Sequence, residues 1–353
     1  MQHEPLVFPH ATPPEPGAVI EVAPGVLWFR LELPFQLNHV NIYLIEDDAG
    51  WHVLDTGLAT DACRAGWDSV LTGPLKGQRL SAMTATHFHP DHVGLAGWLA
   101  DRFDLPLAMP RTEYLFHQMA RQEGGDMATA AHAAFYRARG LAEETIRIVT
   151  GRGHGYLRMT TPAPMSYERI RNGDTRRIGG RDFHVLTGGG HALEQAMLYQ
   201  RTDRLFFSAD QVIARISPNV SVHPVEPAED VLGVYLRDLR DLRASVAEDV
   251  LVLPGHGLPF LGLHTRIDEL IEHHAHRCGA IADGCRAAPL SVVDLVPVLF
   301  ERPLDAHQTG FAFGEVLTHA NYMVGEGADP RDRKGRGAPV SGRRGRDPVR
   351  ARD

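Results

Sequence analysis

Residues 84–94, TATHFHPDHVG, place three histidines and one aspartate within six positions. These side chains are His87, His89, Asp91 and His92. In an extended segment the first two project to the same side, whereas a turn at Pro90 lets the other two face another way. Neutral imidazoles and carboxylates are the usual protein ligands of zinc and similar divalent ions. The spacing therefore predicts a metal site, and it suits two adjacent ions better than one.

Four more candidate residues lie in loops that directly follow apolar, strand-like runs. They are Asp55 in LDTG, His191 in TGGGHALEQ, Asp210 in FFSADQV and His256 in VLPGHG. Side chains at the ends of rigid strands can converge on one point, which is how many binding sites are built. We therefore expect these loops to meet the histidine run.

The order of these motifs resembles the metallo-β-lactamase superfamily, in which an HxHxDH run precedes a histidine, a bridging aspartate and a final histidine. The resemblance covers about residues 25–260 and implies a four-layer αββα sandwich. The ligand sets that it implies are His87, His89 and His191 for one ion, Asp91, His92 and His256 for the second, and Asp210 between the two. It also implies that Asp55 orients the cluster from behind, as metal ligands generally require.

Short apolar runs separated by Gly, Pro, Asn or Asp predict two groups of strands with helices between them. The predicted strands are VLWFRLEL (about 27–33), 39–47, 51–57, 80–87, 182–191, 196–202, 204–212 and 250–257. Helical spacing appears at 92–103, 111–149, 228–246 and throughout 264–324. Layered sheets with outer helices, an α/β fold, are the expected architecture.

The pattern predicts one main domain with additions at both ends. A Pro-rich lead occupies 1–24, and the hydrolase domain occupies 25–262 with a helical insertion at 111–149. A helical C-terminal extension, similar to a winged-helix module, is predicted for 263–325. Residues 326–353 are rich in Arg and Gly and nearly free of apolar side chains, which predicts a disordered tail.

The net charge and the residue composition exclude some classes of binding partner. The formal charge is −8, and the tail residues 331–353 carry a net +6, which leaves about −14 on residues 1–330. A body of that charge argues against a general nucleic-acid or anionic-membrane binder. No run of 18 apolar residues suggests a membrane span, and three sparse cysteines suit a reducing compartment. We expect a cytoplasmic protein with a small-molecule substrate, and a homodimer is left open.

Hydrolysis is the chemistry that the resemblance implies. Two divalent ions that share a water lower its pKa towards neutrality and so supply a hydroxide nucleophile. Asp91, as a ligand that is also a carboxylate, can orient this water and pass a proton to the leaving group. His-and-carboxylate sites accept Zn, Mn or Fe, and zinc is the first expectation.

The residues present favour one branch of the superfamily. None of the three cysteines is near Asp210, where zinc β-lactamases of the commonest type carry one, and only 45 residues separate Asp210 from His256. The chain is most similar to glyoxalase II, small thioesterases and lactonases, and the β-lactamase-like protein 2 group. A thioester or lactone is the expected substrate. The alternatives are a phosphodiesterase or single-strand endoribonuclease, and a metal-binding scaffold without turnover.

Other residues allow two interpretations. His223 follows Asp210 on a loop that could form a pocket rim, where it could contact substrate or support a ligand. Tyr114, Phe116, Met119, Phe135 and Tyr136 of the insertion could line an apolar acyl pocket or simply form core. His273, His274 and His276 form an apparent cluster, but the helical spacing around them predicts a solvated helix face.

Overall fold

The computed structural model describes residues 5–122, 126–150 and 155–325. Two β-sheets form its centre. The first sheet, in spatial as well as chain order, comprises β1 Ile20–Ala23, β2 Val26–Glu32, β3 His39–Asp47, β4 Gly50–Leu54, β5 Leu80–Thr84, β6 Leu107–Pro110 and β7 Glu168–Ile170. The second comprises β8 Thr175–Ile178, β9 Arg181–Gly188, β10 Gln195–Gln200, β11 Leu205–Ala209 and β12 Leu251–Pro254. Its spatial order runs from β12 back to β8.

Eleven helices within the described residues surround the two sheets or extend beyond them. They are α1 Asp61–Thr72, α2 Pro90–Val93, α3 Ala96–Phe103, α4 Arg111–Gln122, α5 Asp126–Arg137, α6 Glu143–Thr150, α7 Gly155–Met159, α8 Val231–Ser245, α9 Leu263–Gly284, α10 Val292–Leu299 and α11 Ala306–Gly325. Within the described residues, no helix is both long and apolar enough to cross a membrane.

Three apolar layers hold the sandwich together. Trp28 and Tyr43 of the first sheet meet Phe183 and Phe207 of the second in a core between the sheets. The outer face of the first sheet packs against α1, α3 and α4 through side chains such as Trp67. The outer face of the second packs against α8 and α9. Strand β3 is covered on both faces, so its residues are apolar along most of its length instead of alternating between apolar and polar. The αββα fold predicted from the sequence is confirmed.

The topology brings the candidate loops to one edge of the sandwich. Strand β4 runs parallel to β5, and β11 runs parallel to β12. Loops that follow parallel neighbours leave from the same edge of a sheet. Two backbone hydrogen bonds join the sheets there: Ala196 N donates to Thr86 O and Asn41 N donates to Gly255 O, each at 2.8 Å. The loops that carry the metal-ligand candidates are therefore held by both sheets.

Some elements escaped the sequence analysis. Strands β1, β6, β7 and β8 have only three or four residues each, too few for an alternating pattern to show. The predicted Pro-rich lead, 1–24, contains β1, and its Leu6 and Phe8 pack against the core of the second sheet. The predicted tail, 326–353, lies outside the described residues.

The helical insertion at 111–149 splits into two parts with different neighbours. Helix α4 packs on the first sheet, where the ring of Tyr114 stacks on that of Tyr167 with centroids 3.8 Å apart. Helices α5 and α6 pack instead with α10 and α11 in a separate apolar cluster that includes Phe135, Tyr136 and Phe313. Phe135 is therefore a core residue, and Tyr136 is half-buried against the same cluster. The C-terminal extension consists of α9, α10 and α11 in the described residues, with no β-wing.

The prediction of a solvated histidine face on α9 is wrong for His274 and holds only in part for His273, which is half-buried. His274 is fully buried, and its Nδ1 lies 3.0 Å from Nε2 of His319 on α11. His319 in turn contacts the backbone oxygen of Glu315 through Nδ1 at 2.7 Å. His276 is exposed as expected. The helical pattern could not show that α11 covers this face, because α11 is far away in the sequence.

This buried pair predicts an acid-sensitive C-terminal region. Burial lowers the pKa of His274 to about 2 and that of His319 to about 4, against an ordinary value of 6.5. The unfolded chain therefore binds more protons below pH 6.5, and the free energy of unfolding falls as the pH falls, by about 1.4 kcal/mol per unit for each histidine. Melting temperatures are measured from pH 7.5 to 5.0 for the wild type and for the double variant His274→Leu/His319→Leu. As the pH falls, the melting temperature of the wild type should drop more than that of the variant. An unchanged gap would contradict the assignment.

Candidate metal centre

The histidine run lies directly after β5. His87 and His89 lie in the loop, and Pro90 begins α2, which carries Asp91 and His92. Proline suits the first position of a helix because its missing N–H would be unpaired there anyway. The loop gives way to a helix at this point, so the two halves of the run face one centre from different directions.

The other three candidates arrive from the second sheet. His191 follows β9, Asp210 follows β11 and His256 follows β12. Ala209 turns the chain into Asp210 with a positive φ of 45°, a strained conformation for a residue with a Cβ. Gly255 precedes His256, and a Cβ at that position would overlap Asp210 Oδ1. Only glycine lets the β12 loop approach this closely.

Seven donor side chains meet within a few ångströms. Asp210 Oδ2 lies 3.2 Å from Nε2 of His256, 3.3 Å from that of His191 and 3.5 Å from that of His92. Three groups of donors have ligand atoms within 4.8 Å of one another: His87, His89 and His191; His87, His92 and Asp210; Asp91, His92 and His256. These groups contain every metal-ligand candidate from the sequence, and Asp210 lies between the first and the last.

The far side of four of the five rings is anchored, which fixes their direction, whereas His89 Nδ1 lies 3.0 Å from His87 Nε2. His92 Nδ1 contacts Asp55 Oδ2 at 2.8 Å, and His87 Nδ1 contacts Thr86 Oγ1 at 2.9 Å. The backbone oxygens of Asn219 and His39 hold Nδ1 of His191 and of His256, at 3.0 and 2.7 Å. Partners of this kind set the tautomer so that Nε2 is free to bind a metal.

Asp55 joins these anchors together. Its carboxylate accepts hydrogen bonds from the backbone N–H of Thr86 at 2.8 Å and from the Thr86 hydroxyl at 3.0 Å. The same carboxylate contacts His92, and Asp55 itself has a positive φ of 63°. Strained backbone of this kind persists where the surrounding structure holds it, and it clusters at functional sites. The position fits the orienting role expected for Asp55.

The donors fit a divalent cation. His92 Nε2, His191 Nε2 and Asp210 Oδ1 are buried without a hydrogen-bond partner. Orphaned polar atoms are rare in protein interiors and call for a specific explanation. Imidazole nitrogen and carboxylate oxygen are the ligand types that zinc, manganese and iron share. Bound cations would satisfy all three atoms.

The pKa values of the donor side chains also favour a cation site. Burial opposes the charge on His256, yet Asp210 and Asp91 raise its pKa to about 10, and Asp210 and Asp55 likewise raise that of His92. Burial would also raise the pKa of Asp210, but His256 and His92 hold it well below its usual range. Protons on the rings thus balance the carboxylates when no cation does, and metal binding would displace these protons.

Comparison with known proteins identifies the family. A family model described as the metallo-β-lactamase superfamily matches residues 36–256, which include all seven donors. The chain belongs to the metallo-β-lactamase superfamily. A second model, described as the metallo-β-lactamase-like C-terminal domain, matches residues 278–339.

Several relatives resemble this superfamily member over most of its length. A crystal structure of a β-lactamase domain protein from Burkholderia ambifaria is 38% identical with a TM-score of 0.82, covering 91% of this chain and 92% of that one. A metallo-β-lactamase family protein from Thermus thermophilus is 26% identical with a TM-score of 0.74, covering 87% and 96%. The probable metallo-hydrolase YqjP of Bacillus subtilis is 24% identical over 292 residues, 79% of this chain and 87% of its own.

His223 lies in the wall of a cavity rather than behind a ligand. Its ring contacts those of Phe88 and Phe116, with centroids 6.0 and 5.6 Å apart. The cavity reaches His191 and is lined also by Met119 of α4. Burial lowers the pKa of His223 to about 4, so the ring is neutral at physiological pH. Of the two roles left open by the sequence, this position favours contact with substrate.

Glu113 is a residue that the sequence analysis missed. It is fully buried on α4, and its Oε2 accepts a hydrogen bond from Phe88 N, between the first two histidines of the run, at 2.9 Å. Its Oε1 accepts one from Glu194 N in the loop after His191. One carboxylate thus ties two candidate ligand loops together. An isolated Glu in a helical stretch gives no signal of this in the sequence.

Replacing Glu113 is expected to weaken metal binding without removing a ligand. Loss of a partner behind a ligand typically lowers metal affinity about tenfold to a hundredfold. We expect Glu113→Ala to show such a loss, and Glu113→Gln, which keeps one acceptor oxygen, a smaller one. Competition with a chelator measures it. Glu194→Ala is the matched control, since it removes a neighbouring carboxylate but keeps the N–H. Equal affinities for Glu113→Ala and this control would refute the role.

Proposed function

We propose that this protein is a dinuclear metal-dependent hydrolase that cleaves a small ester-type bond, a thioester or a lactone. The observation that carries the proposal is an apolar cavity of about 550 Å³ that opens beside the metal centre. His191, a candidate ligand, forms part of its wall together with Phe88 and Phe116. Most ligand pockets are mainly apolar with a few polar groups that set orientation. An acyl chain fits such a space.

The seven donors form two ligand sets with one shared residue. His87, His89 and His191 would hold one ion, Asp91, His92 and His256 the second, and Asp210 would bridge them. When bound, the ions supply an activated water and a positive charge for the acyl oxygen. Zinc is our proposed metal, with manganese or iron as alternatives.

Asp91 is our proposed proton carrier. Its side chain is 20% exposed, whereas that of Asp210 is 6% exposed, so Asp91 is the more accessible carboxylate at the centre. Burial would raise its pKa, but His92 and His256 outweigh burial and hold the pKa below its usual range. The group is therefore a carboxylate at neutral pH, able to accept a proton from water and pass it to the departing thiolate or alkoxide.

The charge of the cavity separates the alternatives. The described residues that line it include Glu226 and Glu229 but no Lys or Arg. A nucleic-acid strand needs several cationic contacts with its phosphates. This disfavours the endoribonuclease and phosphodiesterase alternative, and a scaffold would have no need of a cavity beside its metals. We also propose a cytoplasmic location, since Cys63, Cys278 and Cys285 are all free thiols. Homodimer formation stays a prediction.

A substrate screen tests the proposal. The metal-replete protein should hydrolyse medium-chain acyl thioesters or lactones, with rates that change little between about 50 and 200 mM salt, because no phosphate contacts are broken. A single-stranded RNA of mixed sequence serves as the competing substrate. Efficient RNA cleavage that falls steeply with salt, together with no turnover of the acyl panel, would favour the nuclease alternative.

A further inference from the structure

A second cavity also borders the metal centre, at the candidate ligand His256. It measures about 370 Å³, and its wall includes His256 and Gly257 of the β12 loop, Arg30 of β2 and Arg215 of the loop after Asp210. The acyl cavity has His191 in its wall. Nε2 of His191 and Nε2 of His256 contact the same oxygen of Asp210, at 3.3 and 3.2 Å. The candidate ligand in the wall of the first cavity and the one in the wall of the second therefore contact the same carboxylate oxygen.

The two cavities differ in charge. The described wall of this second cavity contains Arg30 and Arg215 but no Asp or Glu, whereas the described wall of the acyl cavity contains Glu but no Lys or Arg. A molecule that lies across the metal centre would meet an apolar, acidic end and a cationic end. Opposite charges on the two sides give such a molecule a fixed direction.

Arg30 is a partly buried cation without an acidic partner. Its Nε donates to Asn41 Oδ1 at 3.0 Å and its Nη2 donates to Gly257 O, both neutral acceptors. Among the described residues it forms no ion pair, and burial lowers its pKa to about 10. Removing a guanidinium from water without a counter-ion is unfavourable. These two hydrogen bonds use two of the five N–H groups of the guanidinium.

Arg215 adds a second unpaired cation at the same cavity. Its guanidinium lies 4.9 Å from the centre of the Phe8 ring, and it forms no ion pair with another described residue. Stacking on an aromatic ring holds the head group in place without neutralising it. Its side chain is exposed, so its charge is available to a ligand that enters the cavity.

We propose that this second cavity, the Arg30/Arg215 pocket, binds one anionic group, a carboxylate or a phosphate monoester, on the leaving part of the substrate. This rests on the proposed function, because it assumes that the acyl part occupies the first cavity. The preferred substrate is then an apolar acyl thioester or lactone that carries a single negative charge beyond the scissile bond. Its anion pairs with the two guanidinium groups, which Arg does better than Lys because of its planar set of donors.

Binding of uncleavable thioethers tests the pocket without turnover. The probes are 3-(hexylthio)propanoate, 2-(hexylthio)ethyl phosphate and the neutral 3-(hexylthio)propanamide, titrated calorimetrically into the metal-replete protein. At least one anion should bind about tenfold or more tightly than the amide, as expected for charge-assisted hydrogen bonds. The stronger of the two anions identifies the group. Equal binding of all three would overturn the proposal.

Substitutions test whether the preference for the anion depends on the two arginines. Arg215→Ala should lose most of the preference for the anion while amide binding stays the same, and Arg30→Lys should keep part of it. Arg201→Ala is the matched control, since Arg201 is exposed and lies 5.8 Å from the Tyr199 ring, away from the site. An equal loss in the control would overturn the pocket. If no acyl substrate is cleaved but the anion preference persists and needs Arg215, the proposed function fails and the pocket stands.

Discussion

Asp91→Asn is expected to lower kcat by about a thousandfold or more, the size of effect that general acid–base groups reach. The asparagine has a similar shape but carries no charge and cannot accept a proton. Asp91 Oδ2 lies 3.4 Å from His256 Nε2 and 3.7 Å from His92 Nε2, so the loss also removes a negative charge from the second donor group. Steady-state hydrolysis of the best acyl substrate measures the change.

Metal analysis of the same variant separates the two contributions. If Asp91→Asn keeps its metal but loses turnover, the proton role accounts for the effect. If it loses one ion as well, the ligand role contributes. Asp101→Asn on α3 is the matched control, because Asp101 is exposed and distant from the donors. Turnover within a few-fold of the wild type in Asp91→Asn would disprove both roles.

Asp210→Ala is expected to lower the metal content from two ions per chain towards one and to abolish turnover. Its carboxylate lies within 3.5 Å of three imidazole nitrogens, which belong to ligands of both proposed ions. Without this carboxylate, the negative charge beside His191, His92 and His256 is lost, and nothing offsets the repulsion between the two cations there. Two like charges at short range need such a bridging anion to offset their repulsion.

Elemental analysis and circular dichroism test this variant. Asp203→Ala is the control, since Asp203 is an exposed turn residue that pairs with Arg181 at 3.7 Å. A folded Asp210→Ala protein that retains two ions would show that Asp210 does not bridge. Because the backbone N–H of Asp210 is held by Gln195 Oε1 at 3.2 Å, the loop itself should survive the change.

The sequence was most informative where chemistry is local. His87, His89, Asp91 and His92 lie within one run, so their spacing alone predicted a metal site, and the structure brings their ring nitrogens and carboxylate together. The positions of Asp210 and the last histidine followed from apolar runs that end in short loops. Such runs predict strands because a buried strand must be apolar along its length.

Features that depend on distant contacts could not be predicted in the same way. Glu113 lies in a helix with ordinary spacing, and its role appears only when α4 packs beside two loops. His274 is buried by α11, whose contacting histidine lies 45 positions further along the chain. Arg30 and Arg215 are far apart in the sequence and meet only in a cavity. In each case tertiary packing gives the residue an environment that its neighbours in the sequence do not specify.

The dinuclear centre is tested most directly by the metal content of the wild-type protein. The protein is loaded with excess zinc, freed of unbound metal by gel filtration in metal-free buffer, and analysed by inductively coupled plasma mass spectrometry. Seven donors exceed the four that one tetrahedral zinc requires, so we expect close to two ions per chain. A value of one ion per chain under these conditions would contradict the account.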